Sequence, residues 1–126
     1  MSFTAATHLA NQPSELQHLL SFYEQEIQFL EKLLSEVVNK NTSREAMSKA
    51  EHFQNQFLIQ KRNIDELRNR ILQNHHLAAD EAKIHAGRVD TRLVSDNKNI
   101  GEEVHQLEKI IADLRTAYKK YLLNWM

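Results

Sequence analysis

Cysteine is absent from this 126-residue chain, which excludes a disulfide framework and a thiolate zinc site and fits a reducing compartment. Proline occurs once and glycine twice. Turns and strand ends consume both residues, so their scarcity argues for long helices joined by few turns. No apolar run approaches the ~20 residues that a bilayer span needs. Met1 to Gln12 carries neither Lys nor Arg and no continuous apolar core, so it does not read as a secretory signal. The 16 basic and 17 acidic residues are interspersed and leave a net charge of -1. A phosphate-binding face needs a basic block, so nucleic acid is not an expected partner. A cytoplasmic protein without membrane contact is the expectation.

What the chain does have is hydrophobic periodicity. Pro13-Ser14 opens a first helix, with Ser14 and Gln17 reading as a capping box. Leu16, Leu20, Tyr23, Ile27, Leu30, Leu34 and Val37 then recur at spacings of four and three, widened on one side by Leu19 and Leu33. That width suits a bundle in which the helix has two neighbours. A second helix begins at Thr42 or Ser43, with Thr42 and Glu45 as its capping box. Its stripe is Ala46, Ala50, Phe53, Phe57, Gln60, Ile64, Leu67 and Ile71. It resumes at His75, Ala78, Ala82 and His85 after one extra step of four, a stutter that a long helix absorbs by local unwinding. Gly87 suits the left-handed C′ position, Asp90 can cap the next helix, and Val89 with Val94 forms a hydrophobic staple. The third helix carries the most regular stripe, Leu93, Asn97, Ile100, Val104, Leu107, Ile111, Leu114, Tyr118, Tyr121 and Trp125. Trp125 keeps that phase and reads as core rather than as part of a docking tail with Met126. The pattern predicts an all-α fold: an antiparallel three-helix bundle or coiled coil with unequal helices at about 14–38, 43–86 and 91–126. Residues 1–12 read as a flexible N-terminal tail, and 13–126 as a single bundle domain.

The lengths carry a consequence. At 1.5 Å per residue the helices span about 37, 66 and 54 Å, so the first covers the second only from about Arg44 to Arg68. A two-helix hairpin about 27 Å long is left with an open seam. Apolar stripes of that size usually find a partner, so a homodimer is expected, its hairpins packing as a local four-helix bundle. The interface residues would be His75, Ala78, Ala82, His85, Leu93, Asn97 and Ile100. In a monomer, Met1 to Gln12 would instead cover the hairpin with Phe3 and Leu9, or the chain would break near Asn97 into a compact four-helix bundle. With the tip at Gly87 to Asp90, Gln60 faces Tyr118, whose hydroxyl would satisfy its amide, and Asn97 falls near Asp80. His75 and His85 in such a seam would loosen the dimer on protonation near pH ~6.5.

Two E-x-x-H spacings, Glu15 to His18 and Glu102 to His105, match the type of ligand used by carboxylate-bridged di-iron bundles. The helical phase sets them at outward positions, so no metal or other cofactor is expected. No H-x-x-x-H or H-x-x-x-E pair of the haemerythrin kind occurs, and His76 with Asp80 is at most a surface pair. There is no G-x-S-x-G elbow and no Gly-rich phosphate loop, so no catalytic residue is nominated. The expected function is non-catalytic: protein–protein interaction or self-association with an unidentified protein partner. A small His/Glu metal- or ligand-binding bundle is the alternative.

The stretches Glu51-His52-Phe53-Gln54-Asn55-Gln56-Phe57 and Asn63-Ile64-Asp65-Glu66-Leu67, with the closing Trp125-Met126, resemble small uncharacterised bacterial α-helical bundle proteins. The resemblance covers about a quarter of the chain and implies a bundle fold with no assigned activity.

Overall fold

Pro13 stands at the first position of a helix, where its missing N–H costs nothing and its fixed φ is already helical. In the computed structural model, which describes residues 2–125, that helix is α1, Pro13–Lys40. Gln12 occupies the cap position, so Ser14 lies inside the helix and the expected Ser14–Gln17 box does not form. Gln17 instead donates across to the Arg68 carbonyl of the second helix at 3.3 Å. That helix, α2, runs Arg44–Ile84 and is capped by Ser43, whose hydroxyl accepts from the Ala46 N–H. Helix α3 runs Thr91–Trp125, and Met126 lies outside the described residues. The three pack side by side, up, down and up, as the unequal three-helix bundle that the periodicity predicts.

The chain turns between α2 and α3 by a Schellman arrangement shifted one residue from expectation. Ala86, not Gly87, takes the C′ position with φ 53°, and Gly87 follows with φ 83°. The Gly87 N–H reaches back to the Ala82 carbonyl at 2.7 Å, closing the last turn of α2. Asp90 caps α3 as predicted, its carboxylate accepting from the Arg92 N–H at 3.0 Å. That hydrogen bond, with the Arg92 guanidinium behind it, holds the Asp90 carboxyl below its ordinary pKa. Val89 is buried and Val94 packs against it, which is the staple.

Two short strands were not expected. β1, Phe3–Ala5, pairs antiparallel with β2, Arg88–Asp90, matching Phe3 with Asp90, Thr4 with Val89 and Ala5 with Arg88. A single 3-10 turn, Ala6–His8, follows β1. The segment anticipated as a flexible tail is therefore built into the fold, and the hairpin tip lends its backbone to hold it. Of that segment, Met1 lies outside the described residues.

The main core runs the length of α1, centred on fully buried Leu20, Ile27, Leu34, Phe57, Ile64, Val104, Ile111 and Tyr118. Burying each such side chain contributes about 1.5–3 kcal/mol. Near the α1–α2 connection the core becomes aromatic. Phe53, Phe57, Tyr118 and Tyr121 pack with ring centroids 5.2–6.3 Å apart, Phe53 and Phe57 stacked and the other pairs edge to face or tilted. The two tyrosines of α3 each donate to a backbone carbonyl of a different helix: Tyr118 to Leu30 of α1 at 2.8 Å, Tyr121 to Ala46 of α2 at 3.0 Å. Tyr118 thus does not serve Gln60, whose buried amide oxygen accepts from Asn63 one turn along α2 at 3.1 Å. Trp125 packs against this end of the core.

Burial raises the pKa of the Tyr118 hydroxyl well above 10, and it raises Tyr121 as well. A phenol that stays neutral when folded but ionises when unfolded supports the fold below pH ~10 and loses that contribution as pH rises past it. Stability should therefore fall above pH ~10, with Tyr118 contributing up to about 1.4 kcal/mol per pH unit. Tyr118→Phe should cost about 0.5–1.5 kcal/mol at neutral pH and remove one phenol's share of that slope, as urea midpoints between pH 7 and 11 would show. At the turn, Ala86→Gly should stabilise by about 1 kcal/mol by relieving a left-handed alanine. Equal urea midpoints for Ala86→Gly and the parent would contradict it.

Candidate functional site

The far end of the α2–α3 hairpin holds the residues that the sequence nominated for an interface. Ala78, Val89 and Leu93 form a second, smaller core there, with Ala6, Leu9, Ala82 and Val94 packed against it. Asn97 and Ile100 are buried as well. The cover over them is the chain's own N-terminal segment. Its backbone is fixed at both ends: the Ala6 N–H donates to the Gly87 carbonyl at 2.8 Å, and the Thr91 N–H donates to Ser2 at 3.0 Å. Further along, Asn11 and Asn97 clasp each other through three hydrogen bonds. The Asn11 N–H donates to the Asn97 side-chain oxygen at 3.0 Å, the Asn97 amide donates to the Asn11 carbonyl at 3.0 Å, and the Asn11 amide donates to the Asn97 carbonyl at 3.1 Å. Asn97 is thus satisfied within the chain, far from the role near Asp80 that its spacing suggested. Gly101 makes room for the clasp, because a Cβ there would fall 2.2 Å from the Asn11 amide nitrogen.

His75 and His85 are exposed and do not line this core. The position expected for His75 belongs to Asn74, which is buried and donates to the Leu93 carbonyl at 3.0 Å. From Ile71 the buried stripe continues through Asn74 to Ala78 in steps of three and four, so α2 has no stutter there. An amide that binds a neighbouring helix's carbonyl can occupy a core position, and it is invisible to a search for apolar residues. His85 sits beside the Phe3 ring, 4.7 Å between centroids. The nominated set is therefore four residues of inner lining, Ala78, Leu93, Asn97 and Ile100, with Ala82 half-buried and two histidines outside. A cleft of about 350 Å³ remains beside the clasp, bounded by Leu9, Asn11, Asn74, Ala78 and Asn97, with exposed His75 at its rim.

Glu15, His18, Glu102 and His105 are all exposed, as their phase requires. Among the described residues no group of three His, Asp or Glu side chains is placed to hold a metal ion.

The outer face of α1 carries what the sequence reading missed. Phe22 and Phe29, two turns apart, are 61% and 60% exposed. Leu19 and Leu33 flank them, each partly buried against the core. Leu19, Phe22, Glu26, Phe29 and Leu33 recur at spacings of three and four, so α1 has a second stripe beside its core seam. A glutamate at its middle hid it. The Glu26 side chain, 16% exposed, pairs with Arg115 of α3, while its other oxygen, Oε2, is buried with no hydrogen-bond partner among the described residues. The neighbouring Tyr23 hydroxyl is buried too, and burial, then the adjacent Glu108 carboxylate, raises its pKa. Two exposed phenyl rings thus stand beside a buried carboxylate oxygen without a hydrogen-bond partner among the described residues.

Comparison with known proteins finds no family that matches this chain, and no curated protein or solved structure similar to it.

The clasp gives a direct test of the N-terminal cover. Asn97→Ala removes two of the three hydrogen bonds and leaves the Asn11 N–H buried without an acceptor, at a cost of about 1–3 kcal/mol. Hydrogen exchange at the Ala6, Asn11 and Thr91 amides should speed up about tenfold or more, while amides of the main core keep their rates. Unchanged exchange at those three would show that the clasp does not hold the segment.

Proposed function

We propose that this chain is a non-catalytic helical bundle that acts by binding a protein surface, a second copy of itself included, through the outer face of α1. The observation that carries the reading is the pair Phe22 and Phe29, exposed on one face of one helix and continued by Leu19 and Leu33. Hiding a phenyl ring from water contributes about 1.5–3 kcal/mol, and contacts among the described residues collect only part of that gain. Partner recognition by a helix face uses anchors at this three-and-four spacing. The E-x-x-H residues support the non-catalytic part of the reading, because Glu15, His18, Glu102 and His105 project outward from different helices. Among the described residues no helix is long and apolar enough to cross a membrane. A cytoplasmic setting is part of the proposal and rests on the sequence alone.

A double variant, Phe22→Glu with Phe29→Glu, tests this. Both positions are exposed, so thermal unfolding should change by no more than about 1 kcal/mol in stability. Immobilised parent chain should retain pure chain, or a distinct protein from its source cell, that the double variant does not. Identical binding by the two would defeat the proposal.

A further inference from the structure

Among the described residues, every hydrogen bond that ties residues 2–11 to the bundle ends on the α2–α3 hairpin. β1 pairs with β2, the Ala6 N–H donates to Gly87, Ser2 accepts from Thr91, and Asn97 clasps Asn11. Ala6 and Leu9 pack on Ala78, Val89 and Leu93. Helix α1 supplies none of these contacts and is joined to the segment through Gln12 and Pro13. The docking site is therefore complete on the hairpin, and only the chain's continuity makes its occupant intramolecular. We propose that the hairpin tip is an acceptor site for an extended, uncharged segment of a partner protein, and that residues 2–12 are a strap that competes for it and swings away at Pro13. This surface is separate from the outer face of α1 and does not depend on it.

The strap is lightly held. No residue from 2 to 12 is fully buried, whereas α1 buries seven side chains. A few hydrogen bonds and two half-buried apolar side chains open far more cheaply than a bundle core unfolds. Gln12 is extended, with φ −80° and ψ 128°, and it precedes a proline, which disfavours the helical region for it. Helix α1 therefore does not grow backwards to absorb the released residues. Opening leaves Ala78, Val89 and Leu93 facing water, together with the Gly87 carbonyl, the Thr91 N–H and the Asn97 amide. An apolar strip beside a strand with unpaired backbone groups is the arrangement to which extended peptides add.

The present occupant specifies the chemistry of its replacement. Residues 2–12 contain no Lys, Arg, Asp or Glu. At the tip Asp90 is already paired with Arg92, and Glu81 accepts from the Asp90 N–H. Phe3 lies against the His85 ring, Ala6 and Leu9 reach the small core, and Asn97 binds Asn11 through three hydrogen bonds. The fitting segment thus has an aromatic residue, a small one three places on, a leucine three further and an asparagine two beyond that. A second copy offers the same sequence but holds it in its own groove, so the partner is a different protein whose segment is free.

The probe is a peptide with the sequence of residues 2–12, labelled with a fluorophore after its last residue and added to the full chain. Its apparent affinity follows the fraction of chains whose own strap is open. Leu9→Ser with Asn11→Ala weakens the strap and leaves the acceptor groove intact. That variant should bind the probe about tenfold more tightly than the parent, and Asn11→Ala alone should fall between them. A probe carrying the same two substitutions should bind about tenfold more weakly. Because the chain has no cysteine, Ala5→Cys with Arg88→Cys, opposed across the strand pair, can lock the strap by a disulfide. In the strap-weakened chain the lock should abolish binding when oxidised and restore it when reduced. Main-core amides should keep their slow exchange, and if the double variant loses it, Asn11→Ala carries the same comparison. Equal binding by oxidised and reduced chain would overturn the proposal, as would no binding of the reduced chain at several hundred micromolar probe. A parent particle of twice 14.8 kDa that the lock dissociates would make a second copy the occupant instead. Phe22→Glu with Phe29→Glu should leave probe binding unchanged, and its loss there would place the probe on α1 and end the hairpin site.

Discussion

Helix α2 has 41 residues and α1 has 28, and from this inequality the rest of the molecule follows. Some 20 Å of α2 and the matching start of α3 run on past the beginning of α1 as a two-helix ribbon. A ribbon of two helices leaves one side of its seam open, and Ala78, Val89 and Leu93 would face water there. The residues before Pro13 close it. They do so as a short strand and a 3-10 turn rather than as further turns of α1. An extended segment has backbone groups that no helix satisfies, so each must find a partner in what it covers. The backbone of β2 serves the residues near Phe3, and the Asn97 side chain serves Asn11. A polar residue in the α3 seam and a glycine one turn further on are therefore requirements of the cover.

The same accounting of polar groups governs the other end. Tyr118 and Tyr121 place large rings in the core and carry hydroxyls that would be costly there alone. Each hydroxyl ends on the carbonyl of a neighbouring helix, so α3 is tied to α1 and to α2 by directional bonds inside an otherwise non-directional core. The ion pairs at the rims, such as Lys61 with Glu31 and Arg70 with Glu103, are partly exposed and worth at most about 1 kcal/mol each. They favour one alignment of the helices, but burial and the buried hydroxyls hold it.

This division explains what the sequence could reveal. Three helices, their unequal lengths and the turn at residues 85–90 are local or periodic features, and periodicity shows them directly. The antiparallel pairing of Phe3–Ala5 with Arg88–Asp90 is neither local nor periodic. Three residues of strand have no pattern of their own, and their partner lies some 85 residues away. Asn74 escaped because it fills a core position with a satisfied amide, which sent the apolar stripe to His75 and produced a stutter that α2 does not have. Ala86 escaped because left-handed positions are sought at glycine, while here the glycine next to it completes the Schellman bond. On α1 the five-residue second stripe was equally present in the sequence. A search for one seam stops at the strongest, and Glu26 interrupts the weaker one at its centre.

That glutamate is the most informative residue of the proposed face. Leucine at 26 would continue the stripe, bury more apolar area and spare the cost of desolvating a carboxylate. Arg115 offsets part of that cost, yet one oxygen stays without a partner. Stability of the single chain therefore gives no reason for the choice. Register within the chain gives one, since the Glu26–Arg115 pair joins α1 to α3 at one level. An all-apolar stripe of two leucines and two phenylalanines can slide by a turn with little loss, whereas a largely buried carboxylate held by an arginine of the neighbouring helix penalises the slipped alignments of α1 against α3. The position that hid the stripe from a sequence search is thus the one that ties α1 to α3.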